Sequence, residues 1–225
     1  MGILPVINCA DFTCVKAKVE AAKKFLPEGS FLHCDVADGT YTFNKTWANP
    51  TEWANLRAPY QLEVHLMVEH PERVVQAWIA AGVRRFIIHF ETITDESLVQ
   101  IFDLCDPRGV GVALASNPET TVDKIAPYLK HFPMFQVLSV HPGLSGQPFL
   151  PLTLEKIKWL RHEYPNAIIE VDGGINAQTA RDAKAAGADM IVSSNYIFGA
   201  AGGAGGANGA AANDPKIAYG ILKEI

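Results

Sequence analysis

Two rhythms of apolar residues alternate along the chain. A short apolar run gives way to a polar or glycine-containing turn, then to a stretch whose apolar positions recur three and four residues apart. The runs predict strands at roughly Gly2–Asn8, Ser30–Val36, Gln61–Met67, Arg85–His89, Gly109–Ala115, Met134–Ser139, Ile168–Val171 and Met190–Ser193. Between them, the periodic stretches predict helices such as Thr13–Phe25, Pro71–Ala81, Leu152–Glu163 and Gln178–Ala186, with Pro215–Ile225 closing the chain. Strands that alternate with helices imply a parallel sheet. Eight such units in 225 residues predict a single (β/α)8 TIM barrel over residues 1–225, whose chemistry gathers in loops at the carboxyl ends of the strands. A doubly wound open sheet is the alternative, but no G-x-G-x-x-G turn follows the first strand to support it. Residues 199–212 break the rhythm: they are almost wholly Gly and Ala, a composition that builds no core and predicts a flexible loop. That loop reads either as a tolerated insertion or as a cover over the rim that the eighth strand leaves.

Composition narrows the partners. The 48% hydrophobic content suffices for a full core, and a net charge of -5 without any Lys/Arg run argues against nucleic acid or an acidic membrane surface. A small anionic substrate remains compatible. Cys9, Cys14, Cys34 and Cys105 lack paired metal-type spacing, no signal peptide opens the chain and no long apolar run suggests a membrane span. A cytoplasmic location is the expectation.

Four polar residues sit where apolar strands end: His33 and Asp35 in HCDVADG, His65 in VHLMVEH and Asp172 in IEVDGG. Side chains alternate along a strand, so His33 and Asp35 share a face while Cys34 points away. Imidazole and carboxylate ligands suit one divalent ion, zinc, iron, manganese or cobalt, and two carboxylates beside a metal also supply an acid and a base. Strands two, three and seven would deliver all four to one rim. His89 ends the fourth strand and is expected to line the pocket or to serve the structure, whereas His141 lies in a loop and reads as solvated.

The second constellation is glycine-rich. It comprises HPGLSGQPF after the sixth strand, Gly173 and Gly174 after the seventh, and Ser193, Ser194 and Asn195 at the eighth. Such turns let backbone N–H groups approach a phosphate, commonly held in barrels by the last loops and the start of a short helix. A metal, a phosphate pocket and two carboxylates suit a ketose phosphate. The metal would stabilise an enediolate, and carboxylates on opposite faces of it would remove and return a proton, inverting that carbon.

These segments, with PVINCADF near the start, VHLMVEHPER, SVHPGLSGQPF, IEVDGGIN and SSNYIFG, resemble the ribulose-phosphate 3-epimerase family almost end to end. The resemblance implies metal coordination by His33, Asp35, His65 and Asp172, with Asp35 and Asp172 as the two proton-transfer groups. It implies phosphate contacts at Gly143, Ser145, Gly146, Gly173, Gly174, Ser194 and Asn195, a role in the pentose phosphate pathway, and a homo-oligomer. Several positions depart from the family's pattern. Val6 stands where a substrate-contacting Ser is usual, and Asn8, on the same strand face, is expected to supply a replacement hydrogen bond. Of three methionines that line the intermediate only Met67 is kept, with Ala37 and Leu138 at the other two positions. Ser194-Asn195 replaces Gly-Ser and Ser145 replaces Gly, so side chains enter the phosphate pocket. A longer ketose phosphate such as allulose 6-phosphate is therefore the alternative substrate, and a metal- or phosphate-binding barrel without turnover the alternative class. An aldolase or decarboxylase is disfavoured, because no strand-end Lys is placed for a Schiff base and no Asp-x-Lys-x-x-Asp string occurs.

Overall fold

A computed structural model describes residues 1–199 and 214–225. Eight parallel strands close in chain order: β1 (Gly2–Ile7), β2 (Phe31–Ala37), β3 (Gln61–Met67), β4 (Arg85–His89), β5 (Gly111–Ser116), β6 (Met134–Leu138), β7 (Ile168–Asp172) and β8 (Met190–Ser193), with β8 pairing back onto β1. The described helices are α1 (Phe12–Ala22), α2 (Pro50–Leu56), α3 (Val75–Ala80), α4 (Asp95–Cys105), α5 (Val122–Leu129), α6 (Thr153–Glu163), α7 (Ala177–Ala186), α8 (Asn195–Phe198) and α9 (Pro215–Lys223). The predicted (β/α)8 barrel is thus the observed fold. Apart from Gly199, the predicted Gly/Ala loop lies outside the described residues.

Local chemistry explains the element boundaries. Asp11, Asn49, Asn176 and Asp214 each accept first-turn N–H groups through the side chain, and Pro50 and Pro215 occupy first helical positions where no N–H is needed. Two predicted elements change shape. The stretch Pro71–Ala81 divides into a 3-10 turn at Pro71–Arg73, with Val74 N–H on the Pro71 carbonyl at 3.1 Å, followed by α3. The fifth strand starts at Gly111 because Gly109, at φ 62°, ends a preceding 3-10 turn in the left-handed region.

The barrel separates two interiors. Outward strand residues such as Cys34, Val64, Phe86, Leu114, Val137 and Val171 join helix residues such as Val15, Trp78, Ile101, Ile157 and Ala183 in one large apolar core. Inside the barrel, Ile87, Ala113, Ala115, Met134 and Leu138 form one apolar cluster and Leu4, Val6 and Val192 another. Inward positions of β2, β3, β4 and β7 also carry His33, Asp35, Glu63, His65, Arg85, His89, Glu170 and Asp172. An ionic band therefore crosses the barrel from β2–β4 to β7, between one apolar cluster on β4–β6 and another on β8 and β1. A Cys9–Cys14 disulfide, with Cα atoms 5.7 Å apart, closes the turn from β1 into α1; Cys34 and Cys105 are buried thiols.

Candidate active site

Strand register brings the four predicted ligands together. Asp35 on β2 pairs with His65 on β3, and Asp172 ends β7 across the barrel. One donor atom from each of His33, Asp35, His65 and Asp172 lies within 4.8 Å of all the others. His33, Asp35 and His65 are buried, and Asp172 is partly open to the rim. His65 Nδ1 lies 3.3 Å from Asp35 Oδ1 and 3.4 Å from Asp172 Oδ2, and His33 Nε2 lies 3.2 Å from Asp35 Oδ1. Two imidazoles and two carboxylates facing one small volume match the donor set of a divalent ion such as zinc.

Electrostatics follow from that crowding. Burial would raise the Asp35 carboxyl, but hydrogen bonds from His33 and His65 outweigh it and hold Asp35 well below the usual carboxylate range. Burial would lower both imidazoles, yet their carboxylate partners raise them, His33 strongly. The site holds Asp35 ionised and its histidines eager for a positive charge, whether a proton or a metal.

His65 has a second neighbour. Its Nε2 lies 2.8 Å from His89 Nε2, while His89 Nδ1 lies 3.0 Å from the Tyr41 hydroxyl and 3.2 Å from Glu91 Oε2. Burial pushes His89 down, against the pull of Glu91, so its ring is neutral. A neutral His89 that donates from Nδ1 accepts at Nε2, which leaves His65 donating from Nε2 and presenting Nδ1 to the ligand cluster. His89 is thus the fully buried outer partner of a ligand candidate. His141 is exposed and pairs with Glu119 at 2.8 Å.

Asn8 Nδ2 donates to Asp35 Oδ2 at 2.8 Å, a bond to a candidate ligand carboxylate rather than the substrate contact expected of it. Lys18, from α1, donates to the carbonyls of Val6 and Asn8 at 3.3 and 3.1 Å and to Ser194 Oγ at 3.2 Å. Burial lowers Lys18 to about 8 against the opposing pull of Asp35. Nothing in the sequence marked this lysine, because helix residues facing a strand end look like any amphipathic position. Met67 is buried on the same β3 face as His65, and Ala37 and Leu138 are buried beside the pocket.

The glycine-rich segments also converge. Gly173 (φ 111°) and Gly174 (φ 63°) leave β7 in the left-handed region; a Cβ at Gly174 would lie 2.4 Å from the Phe149 nitrogen, in the loop after β6. A Cβ at Gly146 would lie 2.5 Å from Asn195 Nδ2, so the loops after β6 and β8 meet there. Gly143 is buried and its carbonyl accepts from Asn44 Nδ2 at 3.2 Å, whereas Ser145 is exposed. Ser194 precedes α8 and Asn195 opens it. All the proposed phosphate contacts therefore lie on the loops that follow β6, β7 and β8.

Fold and site together define a (β/α)8 barrel with two imidazoles and two carboxylates gathered in one cluster. The ribulose-phosphate 3 epimerase family profile matches residues 2–198. Curated ribulose-phosphate 3-epimerases from Chlamydia muridarum and Chlamydia pneumoniae are 36% and 35% identical to the chain, covering 87% and 86% of it and the same shares of their own lengths. A solved 3-hexulose-6-phosphate synthase from Salmonella typhimurium superposes with a TM-score of 0.70 at 12% identity, covering 100% of this chain and 99% of that one, a likeness of fold. The chain belongs to the ribulose-phosphate 3-epimerase family, and it is an isomerase of that type.

Proposed function

We propose that the protein is a metal-dependent sugar-phosphate 3-epimerase that interconverts D-ribulose 5-phosphate and D-xylulose 5-phosphate in cytoplasmic pentose phosphate metabolism. The observation that carries this reading is that Asp35 and Asp172 both approach His65 Nδ1, at 3.3 and 3.4 Å, within a cluster of metal-ligand type. His33, Asp35, His65 and Asp172 would hold a divalent ion, which would supply Lewis acidity toward the oxygens of a bound ketose. Asp35 and Asp172 then act as base and acid on opposite faces of the planar enediolate, and exchange roles in the reverse direction. Asn8 holds the Asp35 carboxylate in plane, and Met67 lines the flat intermediate. Gly143, Ser145, Gly146, Gly173, Gly174, Ser194 and Asn195 hold the phosphate, mainly through backbone N–H groups.

Ala37 and Leu138, both buried, are smaller or shorter than the methionines the family tends to place there, which favours a hexulose phosphate as the second reading. Incubation of metal-loaded protein in heavy water with ribulose 5-phosphate and, separately, allulose 6-phosphate tests both. Deuterium at C3 together with the 3-epimer supports the mechanism, and the faster sugar identifies the substrate. Binding of metal and phosphate without exchange would replace this reading with that of a non-catalytic barrel.

A further inference from the structure

Directly beneath the ligand cluster lies a layer of charge that the two-carboxylate chemistry does not use. Glu63 on β3, Arg85 on β4, Gln136 on β6 and Glu170 on β7 occupy it; the three other than Arg85 are essentially sealed from solvent. Glu63 Oε1 lies 2.6 Å from His33 Nδ1, while the other Glu63 oxygen is bonded to Arg85 Nε. Gln136 Nε2 donates to Glu170 Oε1 at 3.0 Å, and Glu170 approaches Arg85 and His33 only to 4.0 Å. Arg85 also lies over the Phe31 ring, 4.6 Å from its centroid.

The His33 ring is therefore gripped from both ends. Nε2 faces Asp35 and the ligand cluster, and Nδ1 faces Glu63. An ionised Glu63 can only accept, so Nδ1 carries the proton and the Nε2 lone pair is left for a cation. Arg85 supplies the charge that keeps a carboxylate ionised at this depth, since an unpaired buried charge is costly. Hydrogen bonding of an imidazole to a carboxylate raises its basicity and fixes its orientation as a ligand.

We propose that Glu63, anchored by Arg85, is the positioning residue that turns His33 Nε2 toward the metal and sets the affinity of the site. The proposal rests on the reading that a divalent ion is held by His33, Asp35, His65 and Asp172. Glu63 lies on the Nδ1 side of His33, opposite the Asp35 side, and although His33, Glu63 and Glu170 also lie within 4.8 Å of one another, Glu63 is assigned no ligand role toward that ion. It acts through His33 alone, so its loss changes how tightly metal is held more than how fast the metal-saturated enzyme turns over.

The test is Zn2+ affinity by competition with a chromophoric chelator, measured on the full-length wild type, Glu63→Gln, His65→Ala and Gln136→Leu. Glu63→Gln is expected to weaken Zn2+ binding about 10–100-fold, the usual effect of losing such an outer partner. Gln136→Leu, which alters the same layer without touching His33, is expected to leave affinity within threefold of wild type. At saturating Zn2+, kcat of Glu63→Gln is expected to return to within a few-fold of wild type. Should Glu63→Gln fold poorly, the paired variant Glu63→Gln with Arg85→Gln removes both charges together and carries the same expected loss. Unchanged Zn2+ affinity in a folded Glu63 variant overturns the proposal, provided His65→Ala binds weakly. Equal weakening by Gln136→Leu overturns it too, since the effect would then belong to the whole layer. Absence of Zn2+ binding by the wild type removes the metal reading itself, and the role of Glu63 with it.

Discussion

Replacing Asn8 with Leu removes one donor from Asp35 and changes little else in volume. The bond lost is Nδ2 to Oδ2 at 2.8 Å, on the carboxylate oxygen that the two histidines do not hold. Hydrogen bonds to a charged group contribute about 1.5–3 kcal/mol, and each 1.4 kcal/mol or so is a factor of ten in rate. If the bond serves to hold the ionised Asp35 in its reactive plane, its loss appears as a fall in turnover of roughly 10–100-fold. Lys18 ties down the backbone of the same turn through the Val6 and Asn8 carbonyls, so the strand end stays in place in the variant. The assay is deuterium incorporation at C3 with epimer formation, run from both ribulose 5-phosphate and xylulose 5-phosphate at saturating metal. Both directions must lose kcat/KM by the same factor, because the enzyme cannot move the equilibrium between the two sugars. A folded, metal-replete Asn8→Leu protein with rates within twofold of wild type would refute the reasoning and leave Asn8 as a structural turn residue.

Other expectations follow from neighbouring features. Asp172→Asn is expected to abolish C3 exchange while the barrel stays folded, and an active, metal-replete variant would refute its role as a proton carrier. His33 and His65 have raised pKa values and Glu170 is pushed up to about 8 by burial and by Glu63, so these three groups bind more protons in the folded metal-free protein than in the unfolded chain, whereas His89 and the lysines Lys18 and Lys156, both lowered to about 8 by burial, bind fewer. The stabilising contribution of His33 and His65 is therefore full below about pH 6.5 and is lost as pH rises through neutrality, while Lys18 and Lys156 offset that loss once pH passes about 8. Added Zn2+ competes with the histidine protons, so its stabilising effect grows over the same range. Melting curves with and without chelator at pH 6 and 7.5, below the range where the lysines titrate, check both signs. Gly174→Ala forces a Cβ to 2.4 Å from the Phe149 nitrogen at φ 63°, and is expected to raise KM for the sugar phosphate and to lower the melting temperature. Cys14→Ser opens a loop of sequence separation 5, and is expected to cost about 2 kcal/mol under oxidising conditions and little after reduction of the wild type. Equal melting temperatures of oxidised wild type and variant would dismiss that contribution.

Much of the molecule was legible because parallel strands covered on both faces announce themselves as apolar runs. The ends of β3, β4 and β8 stand where the runs end, and His33, Asp35, His65 and Asp172 showed as polar residues at strand tips. What stayed hidden needed register. Glu63, Arg85, Gln136 and Glu170 lie within or at the start of strands, where a charge in the sequence looks like an edge or a solvent-facing position. Only the closed barrel shows that they meet one another inside. Cys9 and Cys14 were similarly opaque, since their pairing depends on the turn that takes β1 into α1. His89 was seen as a strand-end residue, but the Glu91 and Tyr41 contacts that fix its tautomer come from separate loops.

The buried charge layer also constrains how this barrel can diverge. Removing Arg85 alone would strand the Glu63 carboxylate away from water, and removing Glu63 alone would strand Arg85; breaking such a pair costs roughly 3–5 kcal/mol. Replacing the pair together with well-packed apolar residues can be neutral or stabilising. Single steps at these positions thus lead through a valley of poorly folded sequences, while concerted ones do not. The floor beneath the His and Asp cluster should drift as a block, with residues on β3 and β4 changing together or not at all, even as the helices outside the barrel change one position at a time.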